Sequence, residues 1–463
     1  MNLARLAAER TATKGPIGVA VIGAGKFGSM FLSQAPTSPG LRINVIIDLD
    51  IERAKAACRN VGWDEERIAA CDFTEDGAEA IARDDIEVVV EVTGNPAAGI
   101  RHALAAIEAG KHIVMVNVEA DVLAGPALAA RARAAGVVYS MAYGDQPALV
   151  SEQVDWARAA GFQVIAAGKG TKYMPEYHAV TPDDVWSHYG LDPARAKAAG
   201  MNPQMFNSFL DGTKSSIEMA AIANACGLAV PSDGLHFPPC GVDDLPTILK
   251  PKSDGGQLEG RGMVEVVSSL NRDGSPVERD LRWGVYVVIE ATNDYTASCF
   301  EQYGMRTDPS GRYGALYRPY HLIGLELGIS VLSAALRGEP TGSTMSFRGD
   351  AVAVAKRNLK AGEKLDGEGG YTVWGKLWPA ERSLAHGALP IGLAHGVTLD
   401  HDIAEGEAVR WSDVTIGDNR RSACAARPRG WAAPDETTKA AINPGIDRGF
   451  RSQRCSVVTR PSC

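Results

Sequence analysis

The sequence predicts an α/β protein built first on a doubly wound parallel sheet. Three observations carry that prediction. Short apolar runs alternate with helical patterns from residue 15 to about residue 140, the rhythm of parallel strands joined by crossover helices. The first run, Gly18-Val-Ala-Val-Ile-Gly23, opens a turn of the form Gly-x-Gly-x-x-Gly, and a helical segment follows it. A second run, Ile43 to Ile47, ends on Asp48.

Taken in order, the strand candidates are Ile17 to Ile22, Ile43 to Ile47, Glu87 to Val92, His112 to Val116 and Val137 to Tyr139. Ala-rich helical segments such as Ala97 to Ala109 and Ala124 to Ala135 lie between them. The pattern is expected to continue through a helix over Gln146 to Ala160 and a strand over Phe162 to Ala167. Residues 15–167 therefore read as one Rossmann-type unit, preceded by a surface helix over residues 1–14.

The turn Gly23-Ala24-Gly25-Lys26-Phe27-Gly28 has the chemistry of a dinucleotide pyrophosphate site. Its backbone amides and the following helix N-terminus point at an anion. Gly23 permits the tight turn, Gly25 leaves room for the pyrophosphate, and Gly28 lets helix and strand pack closely. Asp48 stands at the right distance to bind the adenosine ribose hydroxyls. Thr93-Gly94-Asn95-Pro96 follows a strand end, where such folds lay the nicotinamide ribose.

Composition narrows the function classes. The chain has 463 residues, 45% hydrophobic and 22% charged, with a net charge of −9. That length suits about two to four domains. The acidic balance predicts no general attraction to nucleic acid. No apolar segment reaches the roughly 20 residues a membrane span needs. The eight cysteines are scattered without Cys-x-x-Cys spacing, which fits a reducing cytoplasm and predicts no zinc site.

From Gly168 to about residue 345 the character changes. Aromatic residues and Met become more frequent, and long helical patterns run over Pro203 to Cys226 and Tyr320 to Leu336. The runs Met263 to Leu270 and Leu281 to Ala291 flank a polar gap holding Asp273-Gly274, and read as antiparallel sheet. A second, α+β domain covering the nicotinamide end of the cofactor is expected over 168–345. A third unit over 346–418 repeats one motif, in Asn358-Leu-Lys-Ala-Gly-Glu363 and Asp402-Ile-Ala-Glu-Gly-Glu407. Each copy reads as a short strand and a glycine turn, as in a small β-clip barrel. The Arg-rich tail over 419–463, with three cysteines, lacks an apolar period and is expected to be disordered.

Reduction of a carbonyl needs a cation or acid near the oxygen. Lys169 and Lys172 follow an apolar run, on a glycine-bearing loop expected at a strand's C-terminal end, where open α/β sheets gather ligands. They could hold a phosphate or polarise a ketone. Lys214 is a third cation candidate, with Asp211 as its partner or as a proton acceptor. Arg318 could bind phosphate bidentately and Tyr320 could donate a proton; both are expected just before a helix. Glu152 is expected to order a loop. The histidines and Asp183 have no metal-ligand spacing, so no metal residue is assigned. A divalent ion shared with a phosphorylated substrate stays an open alternative.

These residues resemble a known group. The cofactor half resembles the homoserine-dehydrogenase-like oxidoreductases, and the third unit resembles a SAF domain. Met115-Val-Asn117-Val-Glu119-Ala-Asp121, Gly168-Lys-Gly-Thr-Lys-Tyr173 and the segment from Asn202 to Lys214 resemble the 1-deoxy-D-xylulose 5-phosphate reductoisomerase-like (DRL) branch. That resemblance implies an NADPH-dependent conversion of 1-deoxy-D-xylulose 5-phosphate to 2-C-methyl-D-erythritol 4-phosphate, a step toward isoprenoids. One departure stands out. Homoserine dehydrogenases carry Asn-Lys near the nicotinamide, whereas this chain has Asn117-Val118. Asn117 can still hydrogen-bond the substrate or the nicotinamide amide.

Three functional readings follow. The first is an NAD(P)H-dependent oxidoreductase, a reductoisomerase in its specific form, acting on a small phosphorylated or polyhydroxy carbonyl compound. The second is a dehydrogenase of an amino- or sugar-acid semialdehyde without rearrangement. The third is a non-catalytic dinucleotide sensor. The resemblance favours NADP, with NAD as the alternative, because Asp48 suits the ribose of NAD while Arg53 could swing over a 2′-phosphate. A cytoplasmic homo-oligomer with a small-molecule carbonyl substrate, and neither nucleic-acid nor membrane partners, is expected.

Overall fold

The computed structural model describes residues 2–415; the tail expectation lies outside them. Six parallel strands form the first sheet: β1 (Ile17–Ile22), β2 (Leu41–Ile47), β3 (Asp72–Thr74), β4 (Val88–Glu91), β5 (His112–Met115) and β6 (Tyr139–Met141). Their order is β3-β2-β1-β4-β5-β6, the doubly wound order that reverses at β1 and β4. Val19, Val21, Val88 and Val90 are fully buried on one face, and Ala20, Val89 and Ile113 on the other. Both faces are covered, which is why these strands read as continuous apolar runs. The helix Leu3–Lys14 turns Leu3 and Ala7 inward.

The second sheet corrects one expectation and refines another. Its strands are β7 (Gln163–Thr171), β8 (Met263–Ser268), β9 (Val285–Glu290) and β10 (Tyr313–Arg318), in the order β10-β9-β7-β8. The run from Phe162 does not extend the parallel sheet. It becomes β7, one of the two inner strands of the second sheet. The two runs around Asp273-Gly274 run in opposite directions in one sheet, but they do not pair with each other, because β7 lies between them. β8 pairs parallel and β9 antiparallel with opposite edges of β7. Neither placement is a local property, since pairing partners are chosen by burial across the whole fold.

Two helix expectations also change. Pro203 to Cys226 is two helices, Pro203–Leu210 and Thr213–Cys226, broken where Gly212 adopts φ 90°. The helix expected from Tyr320 begins only at Gly328 and ends at Arg337.

The third unit contains β11 (Gly349–Ala355), β12 (Lys364–Asp366), β13 (Val373–Pro379), β14 (His395–Leu399) and β15 (Val414–Thr415). β11 pairs with β13, and β14 lies between β12 and β15. The two copies of the repeated motif pair with each other. Leu359 and Ile403 exchange backbone hydrogen bonds of 2.8 and 3.0 Å. Lys360 Nζ and the Ala361 amide both donate to Asp402. This unit is seated tightly on the second domain. Trp374 stacks on His178 with ring centres 3.8 Å apart, and the Gly375 amide donates to Thr213 Oγ1 at 2.8 Å.

Candidate functional site

The glycine turn lies at the C-terminal end of β1. The Gly23 amide donates to Ile47 O, and Gly23 has φ 106°, a conformation that favours glycine. A Cβ on Gly28 would stand 2.3 Å from Gly23 O, so helix and turn meet without a side chain between them. A Cβ on Gly25 would meet nothing within 4 Å. Gly25 and Lys26 are exposed, Phe27 is half-buried, and helix Lys26–Gln34 starts there. The open space at Gly25 is what a pyrophosphate requires.

Asp48 is placed differently from expectation. Its side chain is 4% exposed, and its oxygens are engaged by the chain itself. The Ala24 amide donates to Oδ2 at 2.8 Å, the Asp50 amide to Oδ1 at 3.1 Å, and Arg53 to Oδ1 at 2.6 Å. Burial opposes its charge, but these donors win and hold the Asp48 pKa below the ordinary carboxylate range. Asp48 therefore braces the glycine turn, and Arg53, 62% exposed, is the outward group at this position.

At the β4 end, Thr93, Gly94 and Asn95 are exposed. The Thr93 hydroxyl donates to Glu91 at 2.6 Å. Asn95 Oδ1 accepts from the Ala98 amide and caps the next helix. Asn117 caps helix Val118–Ala134 through Oδ1. Among the described residues, its buried Nδ2 has no hydrogen-bond partner, and neither does Glu91 Oε2. A Cβ on Gly99 would touch both atoms, at 2.9 and 3.1 Å. A buried donor and acceptor lacking partners are costly and fit a ligand that both donates and accepts.

The lysines are the main correction to the sequence reading. Lys169 is not on a loop. It lies inside β7, paired in register with Val266 and Val285, and its buried Nζ donates to the buried Glu218. Lys172 alone follows the strand. Its Nζ donates to His188 O and lies 5.9 Å from the Tyr189 ring. Burial, then the neighbouring Arg282, push the Lys172 pKa down. So the two lysines face different partners.

Lys214 pairs with Glu119, not with Asp211. Asp211 is buried and faces Lys356 of the third unit at 2.8 Å, while its carbonyl accepts from or faces His178 Nδ1 at 2.7 Å. Burial works against the charge of Lys214. Glu119, Glu368, Glu218 and Asp145 together overcome that and raise its pKa well above the ordinary lysine range. Burial and Glu218 raise Asp145 to about 6, against the pull of Lys214. A helix N-terminus of the first domain, helix Thr213–Cys226 of the second and a turn of the third thus converge on one ammonium.

Sequence reasoning missed Glu119, Asp145, Glu218 and Glu368 as members of this cluster. Glu218 had a signal, since it lies four residues after Lys214 and so on the same helix face. Arg318 closes β10 and donates to Glu326 at 2.6 Å, with its guanidinium 4.8 Å from the Tyr320 ring. Tyr320 is half-exposed, on the loop that leads back to the glycine-turn helix at Gly324. Glu152 accepts from Tyr143. Among the described residues no group of three or more His, Cys, Asp or Glu is arranged to hold a metal, and no helix is long and apolar enough to cross a membrane.

The fold and the site define the class of an NAD(P)-dependent oxidoreductase. Residues 17–143 match the oxidoreductase family with an NAD-binding Rossmann fold, of the Gfo/Idh/MocA kind. Residues 144–327 match the catalytic domain of oxidoreductase DRL. A stretch of 77 residues is 36% identical to homoserine dehydrogenase of Neisseria gonorrhoeae (strain ATCC 700825 / FA 1090), covering 17% of this chain and 15% of that enzyme. Among solved structures, myo-inositol dehydrogenase from Lactobacillus casei is similar at 19% identity and TM-score 0.27, over 37% of this chain and 50% of that one. An NAD binding oxidoreductase from Klebsiella pneumoniae is similar at 14% identity and TM-score 0.33, over 65% and 66%.

Proposed function

We propose that this protein reduces a small carbonyl compound with NAD(P)H, and that its specific reaction is the reductive rearrangement of 1-deoxy-D-xylulose 5-phosphate. The observation that carries the reading is the Lys214 ammonium, held charged between the cofactor half and the substrate half. The match of residues 144–327 to the DRL catalytic domain supports the narrower form. NAD(P)H supplies the hydride when bound. Gly23, Ala24, Gly25, Lys26, Phe27 and Gly28 would hold its pyrophosphate, and Thr93, Gly94 and Asn95 its nicotinamide ribose. Asn117 and Glu91 would pair with its carboxamide. Arg53 favours NADP over NAD, because an exposed guanidinium suits a 2′-phosphate.

Lys214 would polarise the substrate carbonyl, since a fixed cation stabilises charge that develops on the oxygen. Lys169 and Glu218 hold the helix that carries Lys214 in register with β7. Lys172, beside Arg282, would receive a phosphate. Arg318 and Tyr320 would close the outer wall. The test is NAD(P)H oxidation by the purified protein across ketose phosphates and amino- or sugar-acid semialdehydes, with fosmidomycin as a probe. Turnover of 1-deoxy-D-xylulose 5-phosphate blocked by fosmidomycin supports the narrow reading. Turnover of a semialdehyde alone replaces it with the simple dehydrogenase, and tight cofactor binding with no turnover leaves only a dinucleotide sensor.

A further inference from the structure

We propose that Glu368, carried on a turn of the third unit, is the proton donor of the reaction, so that this unit completes the active site. The proposal rests on the carbonyl-reduction reading above. Its basis is how the turn Gly367-Glu-Gly-Gly370 is seated. Gln204 Nε2 donates to Asp366 O and Glu368 O, both at 2.9 Å. Asn207 Nδ2 donates to Gly369 O, and Lys356 Nζ to Gly370 O, each at 2.8 Å. Gly369 has φ 66°, and a Cβ there would lie 2.1 Å from Gln204 O. The turn therefore fits helix Pro203–Leu210 only with glycine at that position.

The one charged side chain of the turn is thereby fixed beside the catalytic ammonium. Glu368 lies within Coulombic reach of Glu119, Lys214 and Asp211, and its carboxyl meets the Ser208 hydroxyl, whose own proton goes to Met205 O. Two carboxylates then compete for a single ammonium. Lys214 pairs directly with Glu119, and Asp211 is balanced by Lys356. Glu218 is taken by Lys169, and Asp145 adds more negative charge near Lys214. Among the described residues, Glu368 has no ion pair of its own. A carboxyl group so placed keeps its proton. Burial first, then the like charge of Glu119, raise its pKa to about 8.

The step balances. As hydride reaches the carbonyl carbon, a C–H bond forms and the π electron pair moves to the oxygen. That oxygen takes the proton of Glu368, whose O–H bond breaks and leaves a carboxylate. Glu368 is largely but not fully buried, so water can restore the proton before the next turnover.

The test compares wild type with Glu368→Gln. Loss of a general acid typically costs roughly 100-fold or more in rate, so kcat should fall by that factor while NAD(P)H affinity, read by fluorescence, is unchanged. Glu368→Asp should recover part of the loss. Gly369→Ala keeps the carboxyl but displaces the turn, and should also lose kcat with its circular dichroism intact. Independently of turnover, protein labelled with carboxyl-13C glutamate should show a resonance titrating near 8 that is missing from Glu368→Gln. Wild-type kcat in Glu368→Gln, or a Glu368 resonance in the ordinary carboxylate range, would overturn the proposal. If the wild type reduces no carbonyl compound, the functional reading fails, and with it the donor role, even where the titration survives.

Discussion

Lys214 and Glu119 form an ion pair that joins the two halves of the molecule, with side chains 17% and 11% exposed. Glu119 stands in the first turn of helix Val118–Ala134, and Lys214 in the first turn of helix Thr213–Cys226. The pair places a cation at the C-terminal edge of the first sheet, the edge at which open α/β sheets bind ligands.

Replacing Lys214 with Met should reduce kcat by roughly 100-fold or more, the scale seen when one transition-state donor is removed. KM for the dinucleotide should hold, since the lysine lies outside the glycine turn. Steady-state kinetics on a folded variant checks both. A rise in KM for substrate with kcat intact would instead mean uniform binding.

Lys169→Met should act on stability before it acts on rate. It leaves Glu218 buried without its cation, and breaking such a buried pair typically costs about 3–5 kcal/mol. Urea denaturation should show a lowered midpoint. The double variant Lys169→Met/Glu218→Met should recover much of the loss, because no charge is then stranded. Lys172→Met, whose side chain is only part-buried, should leave the midpoint near wild type and raise KM for a phosphorylated substrate.

Gly25→Val should weaken NAD(P)H binding at least about tenfold, which is 1.4 kcal/mol, without lowering stability. The structure offers free space for the new side chain, so the clash is with the ligand alone. Fluorescence titration and a melting curve on the same sample separate the two effects. Unchanged affinity would remove the pyrophosphate assignment.

Asp48→Ala and Arg53→Ala should diverge. Arg53→Ala should lower kcat/KM for NADPH more than for NADH, because it removes the outward cation. Asp48→Ala should weaken both cofactors, because it releases the Ala24 amide and loosens the turn. An improved NADPH-to-NADH ratio in Asp48→Ala would mean that the carboxylate faces the ribose after all.

His236 should give a pH signature. Its Nδ1 lies 2.9 Å from Glu265. The hydrogen bond to Glu265 comes first among the causes that raise its pKa above 6.5, with burial opposing and Glu259 assisting. A raised native pKa means stability fully present below 6.5 and lost as pH rises through the native value. Wild-type Tm should therefore fall over that window, and His236→Gln should flatten the fall.

Much of this was legible in the chain because it is local. The apolar runs and Ala-rich segments fix the alternation of strands and helices, and Gly23, Gly25 and Gly28 fix the turn, since their spacing and lack of side chains are properties of a few adjacent residues. The repeat at Asn358 and Asp402 was also visible, although not that its copies pair with each other. What only the tertiary structure decided is who faces whom. β7 reads like any apolar strand, and its removal to the second sheet depends on pairing with β8 and β9, about 100 residues later. Lys169 and Lys172 look equivalent in sequence, but the strand continues past the first and ends before the second. Glu119, Lys214 and Glu368 lie far apart in the chain and meet only after three units have packed. Local sequence sets backbone preference. The environment of a charge is set by everything that packs around it, and that sum is taken only in three dimensions.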